Sequence, residues 1–279
     1  MKYLVTGATG NVGSGVTRCL LARGERPCVF VRDAKKARAL FGDRVDVRVG
    51  DLAGSRASLT AALEGMDAAF LLNSGPKLGV WDRTFALAAR AAGVKHLVKL
   101  STLDVSTGVG TGPWHARGET AVRESGLSFT LIRSAAFMSN MLGWADSISS
   151  EGVLRSSTGE GKIAFIHPDD IAEVATSALA TREYAGESLV ITGQEALSYR
   201  EMASRIGAAL GKTIRFESIS DEEAQAGVGR GPYAAALVDI WRAIREGRMA
   251  LVSEGVERVL GRRPLSFDRW VGQHARVFR

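Results

Sequence analysis

Four groups of residues in this chain have the types and spacing to do chemistry. Glycines 7, 10 and 13 punctuate Thr6-Gly7-Ala8-Thr9-Gly10-Asn11-Val12-Gly13. Gly7 permits a tight turn, Gly10 lets backbone approach a phosphate, and Gly13 lets a helix pack closely on a strand. A helix starting there offers unpaired N–H groups and a favourable dipole to an anion, so the turn reads as a pyrophosphate cradle. Arg32 follows a second apolar run, where a guanidinium suits a ribose 2′-phosphate through charge-assisted, bidentate bonds. Asp33 beside it could take the ribose hydroxyls instead, so a 2′-phosphorylated nucleotide is favoured over, but does not exclude, the unphosphorylated one. His115 and Glu119 stand four apart, which puts both on one helix face. A histidine oriented and made basic by a carboxylate is a proton donor suited to neutral pH, and Ser101 is a lesser candidate for that work. In His167-Pro168-Asp169-Asp170 a metal site is conceivable, but four histidines spread over 279 residues make no ligand cluster. Asp169 or Asp170 is expected to cap the helix that follows, and no metal is expected.

Regular elements must position these groups. Lys2 to Thr6 is a buried parallel strand by its apolar, β-branched run, and Val12, Val16, Cys19 and Leu20 have helical spacing. Pro27 to Val31 and Val45 to Val49 are the next strands, the latter closing in Gly50-Asp51-Leu52. The Asp51 carboxylate can accept from an adenine amino group or cap the helix expected over Ser55 to Leu63. Ala68 to Leu72 opens into Asn73-Ser74-Gly75-Pro76, where contacts to the second ribose are expected. A helix over Thr84 to Ala92 stops at Gly93, and His96 to Leu100 is a strand ending in Ser101. The glycine-rich loop Asp104 to Gly112 reads as mobile, with Pro113 near the start of a helix over His115 to Glu124. Leu127 to Arg133 is a sixth strand, and Ser134 to Met141 leads out of it with apolar residues suited to lining a pocket. Further on come a helix over Met138 to Ser149, a polar loop Gly152 to Gly161, and a strand Lys162 to Ile166. A helix Ile171 to Ala180, a strand Ser188 to Thr192, a capped helix Ser198 to Leu210 and a helical remainder complete the chain. Strands alternating with helices in this way make a right-handed, doubly wound parallel α/β sheet with helices on both faces and ligands at the carboxyl ends of its strands.

The bulk composition narrows the function classes. Hydrophobic content of 46% and charged content of 24% are ordinary for a globular protein. The net charge is +6, but the basic residues are scattered, so nucleic acid is not an expected partner. No apolar run is long enough to span a bilayer and no signal segment precedes the first strand, so neither a membrane partner nor export is expected and the expected location is cytoplasmic. Cys19 and Cys28 fall on a buried helix face and a buried strand, as inert hydrophobes in a reducing compartment.

Several motifs taken in order resemble one group of enzymes. These are Gly7-Ala8-Thr9-Gly10-Asn11-Val12-Gly13, Val31-Arg32, His115-x-x-x-Glu119, Ser125-Gly126-Leu127, Thr130-Leu131-Ile132-Arg133 and Phe137-Met138 with Asn140. His167-Pro168-Asp169-Asp170-Ile171-Ala172, Ile191-Thr192-Gly193, Leu197-Ser198-Tyr199 and Gly261-Arg262-Arg263-Pro264 complete the series. Together they resemble the NmrA-like, atypical short-chain dehydrogenase/reductases, including quinone reductase-like members. The ordinary pair of that superfamily, a tyrosine with a lysine four residues on, is absent: Gly7, Ser188, Ala203 and Leu237 follow Tyr3, Tyr184, Tyr199 and Tyr233 at that spacing. The resemblance implies a Rossmann-like core, residues 1–135 with 162–195 returning to it, and a small, mainly helical substrate-binding lobe of 136–161 and 196–279. It implies NADP(H), or NAD(H), touching Gly7, Thr9, Gly10, Asn11, Val12, Arg32, Asp51, Leu52, Leu72, Asn73, Ser74, Ala136 and Phe137. Ser101, His115 and Glu119 would then serve catalysis, with Trp114, Met138 and Asn140 in the substrate pocket. The activity implied is reduction of a quinone or related aromatic carbonyl, as in the tailoring of an aromatic polyketide, by a monomer or homodimer. A non-catalytic redox sensor that binds a protein partner is the alternative.

Overall fold

Successive residues of the first strand face opposite ways and so enter two different cores. Tyr3 and Val5 belong to one apolar cluster and Leu4 to another, as the alternation of a strand buried on both faces requires. The computed structural model describes residues Met1–Arg279. Its strands are β1 Tyr3–Thr6, β2 Cys28–Val31, β3 Asp46–Val49, β4 Ala68–Leu71, β5 His96–Thr102, β6 Ser128–Ser134, β7 Val153–Ser156, β8 Lys162–Ile163, β9 Ser188–Ile191, β10 Leu197–Ser198 and β11 Arg215–Ser218. The helices are α1 Asn11–Ala22, α2 Ala34–Phe41, α3 Arg56–Leu63, α4 Leu78–Ala91, α5 Asp104–Thr107, α6 Gly112–Glu124, α7 Ala145–Glu151, α8 Pro168–Ala180, α9 Tyr199–Leu210, α10 Asp221–Val228, α11 Pro232–Arg245, α12 Gly255–Leu260 and α13 Phe267–His274.

Seven strands form one sheet in the order β3-β2-β1-β4-β5-β6-β9, parallel throughout. The direction of winding reverses between β1 and β4, the place where such sheets open a crevice at their carboxyl edge. One hydroxyl ties that crevice together: Thr6 Oγ1 donates to Phe70 O at 3.0 Å and accepts from Leu72 N at 2.8 Å. Helices α1 and α8 cover one face, and α3, α4 and α6 the other. This is the Rossmann-like, doubly wound parallel sheet expected from the alternating pattern, with a mainly helical C-terminal region beside it.

That region has its own core, built around Met141, Ile148, Tyr199, Trp241 and Trp270. It also holds two small sheets that the residue pattern did not reveal. β7 pairs in parallel with β11, and β8 pairs with β10. The polar stretch Gly152 to Gly161 therefore contains a strand, because its partner lies some sixty residues away and leaves no local signal. The short strand at Lys162 also joins this lobe, and the chain re-enters the main core only near Ile166 and α8. The expected helix over Met138 to Ser149 is a 3-10 turn, Met138–Trp144, followed by α7. The glycine-rich loop after β5 is tethered and not free. Asp104 is buried in α5, and Gly110 N donates to Asp239 Oδ2 at 2.7 Å.

Candidate cofactor and substrate site

At the N-terminal turn, Gly7 adopts φ +64° and Gly10 N donates to Gly7 O at 2.9 Å, folding the chain back on itself. A Cβ at Gly13 would collide with the Gly7 carbonyl oxygen, so only glycine lets α1 start this close to β1. No side chain caps α1, which leaves its first N–H groups free for an anion. A groove of about 360 Å³ runs from this turn along the sheet edge. Thr6, Gly7, Thr9, Arg32, Asp51, Leu52, Leu72, Asn73 and Ser74 line it, and so do Phe30 and Trp81. Trp81 had no sequence signal, because α4 begins at Leu78, earlier than its apolar spacing suggested.

Two carboxylates at this edge are sorted by their hydrogen bonds. Asp33 caps α2, accepting from Lys35 N at 2.8 Å and Lys36 N at 3.1 Å. Arg32 is exposed with no ion-pair partner and faces the groove alone. Asp51 accepts from Ala53 N at 2.8 Å, while Ser55 caps α3, so Asp51 stays in the groove wall.

The expected His115–Glu119 pair does not form. Glu119 is buried against β6, where Arg133 donates to it twice, at 2.9 Å and 2.6 Å, and Ser101 Oγ donates at 2.6 Å. Arg133 outcompetes the imidazole because a guanidinium grips both carboxylate oxygens at once. Ser101 is thereby held as a donor inside that cluster. His115 Nδ1 is buried without a partner, and burial, with Lys99 nearby, pushes its pKa down to about 3. The imidazole is therefore neutral at neutral pH and is no imidazolium proton donor.

Lys99 carries no sequence signal, for a lysine in an apolar strand reads as an interruption. It is fully buried on β5 and ion-paired with fully buried Asp82 of α4, Nζ to Oδ2 at 2.6 Å. Asn73 of the groove wall donates to the other oxygen of Asp82 at 3.3 Å. Gly118 packs directly on the pair, where a Cβ would strike the Asp82 carboxylate.

A second cavity, of about 520 Å³, lies within the C-terminal lobe, where the chain leaves β6. Ala136 and Asn140 form its sheet-side wall, and Trp144, Phe165, Tyr199 and Trp241 its aromatic body. Trp144 meets Tyr199 edge-on, with centroids 5.3 Å apart. Asn140 lines this cavity. Met138 does not: it is buried in the lobe core, beside Met202 and Phe267. Trp114, on the first turn of α6, is likewise outside the cavity wall. One bond ties the cradle to the segment leaving β6, Asn11 Nδ2 donating to Ser139 Oγ at 2.6 Å, and Ser139 itself lies outside the cavity wall.

At His167-Pro168-Asp169-Asp170 the cap is His167 itself, whose Nδ1 accepts from Asp169 N at 3.1 Å. Asp170 is instead buried, accepting from Arg262 at 2.7 Å and Leu265 N at 2.8 Å, which anchors the tail to α8.

Residues 7–182 match the family model described as NAD(P)H-binding. The chain belongs to that NAD(P)H-binding family. It is an NmrA-like, atypical short-chain dehydrogenase/reductase, and its general class is NAD(P)H-dependent oxidoreductase. It is 36% identical over 281 residues to the (4-alkanoyl-5-oxo-2,5-dihydrofuran-3-yl)methyl phosphate reductase of Streptomyces griseus, covering 99% of this chain and 98% of that protein. An NAD(P)H azoreductase of Xenophilus azovorans is 35% identical, over 99% of this chain and 98% of the relative. Among solved structures, the NADPH complex of an Escherichia coli quinone oxidoreductase superposes with a TM-score of 0.88 at 27% identity, over 98% of this chain and 99% of that one. No helix is long and apolar enough to cross a membrane.

Proposed function

We propose that this chain reduces a quinone or a related conjugated aromatic acceptor at the expense of NADPH. The tie between the cradle and the segment that enters the cavity wall carries this reading. Asn11 of the cradle is bonded to Ser139, and the next residue, Asn140, already belongs to the aromatic cavity. A dinucleotide lying with its pyrophosphate on α1 would turn its nicotinamide end toward that wall. The reductase names of the relatives, which span azo compounds, quinones and a butenolide phosphate, agree in reaction type and differ in substrate.

The residues present fit the cofactor. An uncapped helix start and a turn that admits only glycine suit the pyrophosphate. Arg32, free of carboxylate partners, suits a 2′-phosphate, while Asp33 is spent as a helix cap. When bound, the reduced nicotinamide supplies a hydride. This chain's share is then to bind and orient: Asn73, tied to Asp82, fixes the second-ribose edge, and the aromatic walls exclude water from the acceptor. Neither a tyrosine–lysine pair nor a charged histidine serves as acid, and an acceptor whose reduced oxygen is a stabilised phenolate requires little acid assistance.

Steady-state assays with NADPH and NADH against a panel of benzo- and naphthoquinones test the proposal. Saturable oxidation of NADPH, faster than of NADH, is expected. Tight NADPH binding with no turnover of any acceptor would instead favour a nucleotide-sensing protein.

A further inference from the structure

Polar groups on the wall of the aromatic cavity are unevenly satisfied. Arg155 lines it, but the guanidinium is already engaged, Nε donating to Glu217 at 2.9 Å and Nη2 to Glu151 at 2.7 Å. Glu217 is shared with Arg215 at 3.5 Å. The other charged wall residue is Glu223, whose carboxylate accepts from Ser220 N at 2.8 Å as a helix cap. The cavity therefore offers no unpaired cation, and its one unshared charge is negative. The Trp144 indole N–H is also spent, donating to Arg155 O at 2.7 Å. Ser156 differs: it is 2% exposed, lines the cavity, and its hydroxyl has no partner in the protein. A buried hydroxyl left unpaired costs stability, about 1–3 kcal/mol, unless something else completes its bond.

We propose that Ser156 is the polar anchor of the substrate cavity, donating to a carbonyl oxygen of an uncharged, planar polycyclic acceptor, and that the Glu151–Arg155–Glu217 cluster with Glu223 turns away anionic analogues. The aromatic walls supply stacking faces, the volume is that of a site for a drug-sized molecule, and desolvating an anion beside Glu223 without a free cation is unfavourable. The inference rests on the quinone-reductase reading and sharpens it to a substrate class.

Isothermal titration of the full chain, saturated with NADP⁺, with 1,4-naphthoquinone and 1,4-naphthoquinone-2-sulfonate tests this by binding alone. The neutral quinone is expected to bind at least about tenfold more tightly, a difference of about 1.4 kcal/mol. In Glu151→Gln/Glu217→Gln, both sites being part-exposed, Arg155 is released and the preference should shrink severalfold toward the sulfonate. Ser156→Ala should weaken the neutral quinone about two- to tenfold while leaving the melting temperature of the free protein unchanged or higher. A merely structural serine would lower it. Equal affinity of wild type for the two quinones, an unchanged ratio in the double variant, or no binding of either overturns the proposal. Preferential binding without turnover would overturn only the reductase reading.

Discussion

Lys99 Nζ lies 2.6 Å from Asp82 Oδ2, with both side chains wholly removed from solvent. A pair buried this deeply is rarely more stabilising than two well-packed apolar residues, whereas removing one partner strands the other's charge. Here it anchors Asn73 at the groove and lies beside His115. Lys99→Met alone should therefore cost about 3–5 kcal/mol in chemical denaturation. Asp82→Leu/Lys99→Met should recover most of that stability, yet raise KM for NADPH because Asn73 loses its tether. A wild-type KM in the stable double variant would show that the pair does not position Asn73.

Arg32 carries the cofactor choice. Arg32→Ala should weaken NADPH by about tenfold or more and leave NADH nearly unchanged, since only the 2′-phosphate loses a charge-assisted contact. Titration of cofactor fluorescence measures both constants. Equal losses for the two nucleotides would remove Arg32 from the discrimination.

Gly13→Ala places a methyl group against the Gly7 carbonyl oxygen. Backbone on both sides cannot rotate away as a side chain could, so a loss of about 1–3 kcal/mol is expected together with weakened binding of either nucleotide. Thermal melts with and without NADPH separate the two effects.

His115 sets a pH signature. Its folded pKa of about 3 lies below the ordinary value near 6.5, so the unfolded chain binds the extra proton between those values. Stability is thus unaffected by His115 above about pH 7 and falls as the pH drops below 6.5. At pH 5.5 the loss is about 1.4 kcal/mol. His115→Leu should lose less stability than the parent between pH 7.5 and 5.5 in denaturant titrations. If His115 were a charged acid, kcat would instead fall through a pKa near neutrality that vanishes in the variant.

What the amino-acid order determined by itself was whatever depends on neighbours. The apolar runs and glycine spacing at Tyr3–Gly13 fix a strand, a turn and a helix through local sterics, and that unit in turn dictates a nucleotide groove at a parallel sheet's edge. Arg32 and Asp51 were legible for the same reason, since strand ends carry their side chains to that edge. What only the tertiary structure decided was partnership across long separations. His115 and Glu119 share a helix face, but Arg133, on another element, offers Glu119 two bonds where an imidazole offers one. Lys99 and Asp82 sit on a strand and a helix whose contact no spacing rule encodes, and the β7–β11 pairing hides in a polar stretch. Ser156 acquires its meaning last, because a serine has a free hydroxyl only once every neighbour that might have bonded it has been placed elsewhere.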